Sequence, residues 1–264
     1  SRNAISLFEP ISCLKGLKML DILFARTFLI VGMMLCLTAV TAKVNRYFET
    51  AFEMWATLII SLLLLFLIFG FAGSYPLNII IVAAFSLVIG WEIGPAIEHF
   101  GTRYKLRMHL KDRGVVLKKG EKATEQQIQE FSAAFDRDTY HKEWQNIIFQ
   151  AVMGTALAIV STASVVFFTD IDFGFLGCFL LISLIILIMM NSINIIFIKS
   201  KFVSLMRAYV GAVIFTLYLL YDFNRLEKFA GDESWATAIE ISVNIYLDII
   251  NLFMDLLEIL SESN

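Results

Sequence analysis

Charge is scarce in this sequence: Asp, Glu, Lys and Arg make up 17% of its 264 residues. That is too little for a soluble domain, which must cover its core with polar surface. Cysteine is sparse too, and Cys13, Cys36 and Cys178 form neither a disulfide framework nor a zinc spacing. The two that lie in apolar runs read as small hydrophobes. His99, His109 and His141 fall in or beside one polar stretch and share no helical spacing with Cys, Asp or Glu that a metal site needs. A nucleophile–base set, a phosphate loop and an HExxH motif are all missing, so an enzyme is not expected and no cofactor is implied. A net charge of -3 with scattered basic residues argues against a nucleic-acid partner.

Hydrocarbon is what the chain has in excess. Hydrophobic residues are 58% of it and the mean hydropathy is +0.75. They gather in uncharged runs long enough to cross roughly 30 Å of lipid as helices. Lipid offers backbone N–H and C=O groups no partner, and runs this long and unalternating are not barrel strands. The expected fold is therefore an all-α, polytopic membrane helix bundle of about seven passes: 24–42, 54–73, 76–97, 144–169, 173–198, 202–222 and 236–260. From Met54 to Trp91 there is no charge, and Gly70, Gly73, Ser74 and Pro76 mark the turn between two spans. Asp170 and Asp172 separate the fourth from the fifth.

This gives a layout of three spans over 24–97, a charged insertion over 98–144, four spans over 145–260 and a short tail over 261–264. Residues 1–23 read either as an amphipathic interfacial segment or as a plain leader, and the first apolar run is expected to stay as a permanent span. The insertion carries ten Lys or Arg and is expected to be solvated. Within it Thr124 to Gln127 form a capping box, followed by Ile128, Phe131 and Phe135 on one helical face that packs back on the membrane domain. It is also the candidate docking surface for membrane-protein partners. The excess of Lys and Arg on its side of the membrane favours a cytoplasmic insertion and an external N-terminus, but an insertion this long weakens the rule and the orientation stays open. A bacterial inner membrane and a eukaryotic internal membrane fit equally.

The last apolar segment carries acids at several depths. Glu240, Asn244, Asp248, Asn251, Asp255 and Glu258 recur at steps of three and four, so they share one helical face. A carboxylate in mid-bilayer costs several kcal/mol unless paired, protonated or wetted, so this face points at an internal polar route. The alternative is an amphipathic helix lying flat on the membrane surface. Asp222, expected at the end of the sixth span, reaches Asp248 if the two helices are neighbours, and the short connection through Gly231 favours that. Two carboxyls held away from water share a proton and titrate as a pair; ionised, they offer hard oxygens to a cation such as calcium. The plainer alternative pairs Asp222 with Arg225. Glu92, beside Gly94-Pro95, either lines the same route or snorkels from a helix end.

The chain resembles the transmembrane Bax inhibitor motif family. The match rests on Arg26-Thr27-Phe28, Gly32 and Leu37-Thr38-Ala39, on Gly90 with Gly94-Pro95, and most of all on Leu217-Tyr218-Leu219-Leu220-Tyr221-Asp222 and Tyr246-Leu247-Asp248-Ile249-Ile250-Asn251-Leu252-Phe253. The resemblance implies seven helices with the last one central, and a pH-sensitive calcium leak gated by Asp222 and Asp248, with calcium as permeant ion and no bound cofactor. Bacterial relatives of this kind can carry an arginine near the end of the second span that latches onto the acid pair. Residues 54–75 here have no Lys or Arg, which leaves Arg225, Arg46 or Arg26 as substitutes, or no latch. A proton-coupled cation exchanger and a non-conducting regulator remain open beside the leak.

Overall fold

The computed structural model describes residues 22–115, 117, 123–134 and 140–263, and among these there is helix and turn but no strand. The helices are α1 (Ile22–Val44), α2 (Ala51–Gly70), α3 (Leu77–Asp112), α4 (Glu125–Ala134), α5 (His141–Phe168), α6 (Leu176–Ile193, continued by a π-helical turn Asn194–Ile198), α7 (Lys201–Lys228) and α8 (Trp235–Ser263). Six of them, α1, α2, α3, α5, α6 with its π turn, and α7, are long and apolar enough to cross a membrane. The expected count of seven is not confirmed, since six helices are of this class. The eighth helix is as long as a span and carries a row of acids. Leu29, Phe66 and Phe197 are 73 to 77% exposed, and outward-facing side chains of this kind belong against lipid. The chain is an integral membrane helix bundle.

The core of the bundle is α8. It packs on α1, α2, α3, α5 and α7. Ile241, Ser242, Val243, Ile245 and Tyr246 are all buried, which a helix with a single covered face cannot achieve. The flat surface helix is thereby excluded.

Around α8, the closest pairing of outer helices is between α1 and α3, and small residues explain it. A Cβ added at Gly90 would lie 2.4 Å from the Thr38 carbonyl oxygen, and one at Gly94 would lie 1.9 Å from that of Asn45. The two glycines, four apart, let the backbones touch. Pro95 next to them lacks the N–H that would bond the Trp91 carbonyl. Asn45, the residue after α1, fills the gap, its Nδ2 donating to Trp91 O at 2.8 Å. The expected Gly-Pro interruption therefore frees a carbonyl without ending the helix, which runs straight through Pro95.

Three expected boundaries move outward. At 36 residues, α3 is about 54 Å long, well beyond the roughly 30 Å of hydrocarbon. The chemical boundary at 98 is thus not a structural one: residues 98–112 continue the helix, with Gly101, Tyr104, Arg107 and Leu110 buried. Helix α7 runs past 222 to Lys228, with Arg225 and Lys228 in its last turn, where cations suit the helix dipole. The chain then reverses through Gly231 at φ +99°, a conformation that favours glycine. Residues 261–263, expected as a tail, are the last turn of α8.

The capping box forms as expected: Thr124 N–H donates to Gln127 Oε1 at 2.8 Å, and Gln127 N–H donates to Thr124 Oγ1 at 3.4 Å. Helix α4 packs on α3, with the buried Phe131 ring 5.4 Å from that of His109. Residues 1–21, which include the interfacial segment and Cys13, and Phe135 lie outside the described residues.

Candidate functional site: two polar clusters on the central helix

Helices α7 and α8 run antiparallel, and their contact brings together residues of opposite halves. Asp222, 3% exposed, and Asp248, 6% exposed, lie close enough for their carboxyl groups to interact. Two carboxyls so placed away from water repel each other least when they hold one proton between them. The second oxygen of Asp248, Oδ2, is buried without a partner. Asp222 lies a turn and a half inside α7, not at its end as expected.

Arg225 is also beside Asp222. Its Nη1 is 3.9 Å from Asp222 Oδ1, while its Nη2 donates to Glu240 Oε1 at 2.7 Å. Of the three cations considered as substitutes for a second-span arginine, Arg225 is the one at the acid pair. Arg26 instead sits over the Trp235 ring, 4.4 Å from its centroid, and bonds the Glu233 carbonyl. Arg46 lines a separate polar cavity with Glu49 and Glu53.

Further along the same contact, at the other end of α8, lies a second cluster. Arg207 of α7 bridges Asp255 at 3.0 Å and Glu258 at 2.8 Å. The Asp255 carboxyl packs on Gly211, where a Cβ would stand 2.1 Å from Oδ2. One turn on, Glu262 is gripped by Arg103 and Arg107 of α3. Arg207, Glu262, Arg103 and Arg107 were not singled out from sequence as site residues. The signal that could have found the last two is the lack of a helix breaker between Pro95 and Gly114, which keeps both arginines, four apart, on one face.

Not all stripe residues share this interior. Asn244 is half-buried and Asn251 is exposed, with the Asn251 amide turned back to donate to Leu247 O at 2.8 Å. An asparagine that satisfies itself locally can sit on an outer face, so the inward direction expected for Asn251 is corrected. Glu92 is corrected as well. It lies near Ser61 of α2 and Tyr246 of α8, whose hydroxyl is 2.6 Å from Thr38 Oγ1 of α1. That is the side of α8 facing α1 and α3, whereas Asp248 faces α7.

Where α7 emerges, the α5–α6 loop is tied down. Asp172 Oδ1 accepts from Lys228 Nζ at 2.6 Å, from Gly174 N–H at 2.7 Å and from Asn224 Nδ2 at 3.2 Å. The Lys228 bond, then those of Gly174 and Asn224, hold this carboxyl down at about 2. Between α3 and α5, Tyr140 donates its hydroxyl to Asp112, and that bond pushes its own titration up to about 12.

Residues 139–264, which hold both clusters except the α3 arginines, match the family model described as inhibitor of apoptosis-promoting Bax1. Through these residues, a little under half of its length, the chain is similar to the Bax inhibitor family. Similar curated proteins include the Golgi anti-apoptotic protein of Vaccinia virus (strain Lister), 34% identical over 119 residues, or 45% of this chain and 48% of the relative. The chain thus spans about half the length of that relative. Bax inhibitor 1 of Schizosaccharomyces pombe is 27% identical over 224 residues, covering 81% of this chain and 66% of its own. Protein LIFEGUARD 1 of Arabidopsis thaliana is 26% identical over 204 residues, covering 77% and 68%. Among the relatives of this membrane protein, then, is one named as anti-apoptotic.

Proposed function

We propose that the protein is a pH-sensitive calcium leak, with the proton shared by Asp222 and Asp248 deciding between closed and conducting arrangements of α7 and α8. The observation that carries this reading is that those two carboxyls, both buried, are neighbours inside the bundle. With one proton between them the pair holds α7 to α8. Losing it leaves two negative charges in contact, whose repulsion favours separation of the helices and exposes oxygens to a passing cation. Among the described residues no group of three or more His, Cys, Asp or Glu is assembled to hold a metal ion. A calcium ion passing two carboxyls keeps much of its water, as suits a permeant ion more than a resident one. No step of this mechanism is catalytic, and protons and calcium are the only ligands it needs.

The test is calcium flux into proteoliposomes across pH 5 to 8, a range of about three units around the unperturbed histidine value. The wild-type chain is expected to change its flux across that range, and Asp248→Asn to hold one rate throughout. A pH-dependent flux in Asp248→Asn identical to the wild type defeats the reading. A second reading, a cell-death regulator acting through other membrane proteins, draws support from the viral relative's name. It is favoured if the chain carries no flux and protection from cell death depends on the charged stretch 98–144.

A further inference from the structure

The charged and titratable groups around the acid pair come from three places. Helix α7 contributes Tyr218, Tyr221 and Arg225, and α8 contributes Glu240. The α5–α6 loop contributes Asp172, engaged by Lys228 and Asn224. Arg225 is divided between two carboxylates of opposite exposure. Glu240, whose side chain is 45% exposed, holds one guanidinium nitrogen at 2.7 Å, and Asp222, 4% exposed, has the other only at 3.9 Å. The tighter partner is the outer one. In a poorly solvated site it is the inner carboxylate that gains more from a cation, so the observed division leaves Asp222 short of charge compensation.

Taking the shared-proton reading as its basis, we propose that Glu240 is a positioning residue: it draws Arg225 off Asp222 and so sets the acidity at which the Asp222–Asp248 pair exchanges its proton. Neutralising Glu240, by a proton or a cation from the water it faces, releases Arg225 onto Asp222 and stabilises the ionised pair. The exposed carboxylate thereby connects the medium to a buried site that water does not reach directly.

Difference infrared spectroscopy of the full chain in liposomes tests this, following the carboxyl band that Asp248→Asn removes. Glu240→Gln is expected to lower the pH midpoint of that band by about one unit, the size of effect a carboxyl shows on gaining a close cation. Glu240→Asp is expected to restore it in part, and Arg225→Gln to raise it. The double variant separates the route of action. If Glu240 works through Arg225, then Glu240→Gln has little effect in the Arg225→Gln background, whereas a plain through-space field persists there. A midpoint unmoved by Glu240→Gln, or moved equally in both backgrounds, overturns the role of Glu240 and leaves the shared proton standing. Absence of any titrating band sensitive to Asp248→Asn overturns the shared-proton reading and this inference with it.

Discussion

The two ends of the α7–α8 contact use the same residue types and reach opposite electrostatic solutions. Toward the C-terminal end of α8, Asp255, Glu258 and Glu262 face Arg207, Arg103 and Arg107, three carboxylates against three guanidinium groups. At the other end Asp222 and Glu240 divide the guanidinium of Arg225, and Asp248 interacts with Asp222. The ion pairs of the first cluster join α7 to α8 and α3 to α8. At the other end, on the proposed reading, a proton that comes and goes with the medium completes the set. Buried charge is therefore not informative by itself; the local balance decides whether a cluster fastens or switches.

The sharpest way to break this comparison is the same substitution at both ends. Arg207→Gln strands Asp255 and Glu258 in the bundle and is expected to destabilise the protein by about 3 kcal/mol. Arg225→Gln, whose outer partner is half-exposed and whose inner partner can take up a proton, is expected to cost about 1 kcal/mol or less. Melting temperatures in detergent, measured side by side, check the contrast, and equal losses remove it. Next in size is Gly211→Ala, whose new methyl collides with Asp255 Oδ2 and is expected to cost about 1–3 kcal/mol by overpacking. Pairing it with Asp255→Asn tests whether the damage is steric or electrostatic, since the amide keeps the volume and loses the charge. The smallest effect belongs to the exposed clamp of Asp172. Its carboxyl is held down at about 2 in the folded chain, against about 3.9 when unfolded. The clamp's contribution is therefore whole above pH 4 and is lost as pH falls toward 2. Proteolysis of the α5–α6 loop should accelerate across that window in the wild type, and Asp172→Asn should flatten the response.

Much of the bundle was legible from residues. The uncharged runs located the spans, Gly70 to Pro76 located the first hairpin, and Thr124 with Gln127 located the start of α4. Hydropathy could not say where helices stop once they leave the lipid. Residues 98–112, 223–228 and 261–263 are helical because Arg107, Arg225 and Glu262 find partners on other helices, and such partners leave no trace in a local window. The acidic stripe was recognisable from its spacing, and its inward direction holds for Asp248, Asp255 and Glu258. It fails for Asn251, since an uncharged amide can satisfy itself on its own helix turn. Glu92, expected either on the acid route or at a helix end, lies within α3 near Tyr246 of α8.

By itself, the sequence determined that this chain folds as helices in a bilayer and that its last helix carries a row of acids on one face. Both follow from the cost of unpaired backbone in lipid and from a period of 3.6 residues. Only the tertiary structure decided which acids meet each other, which meet arginine and which meet neither. Helical spacing settles what shares a face; packing settles what that face is turned toward.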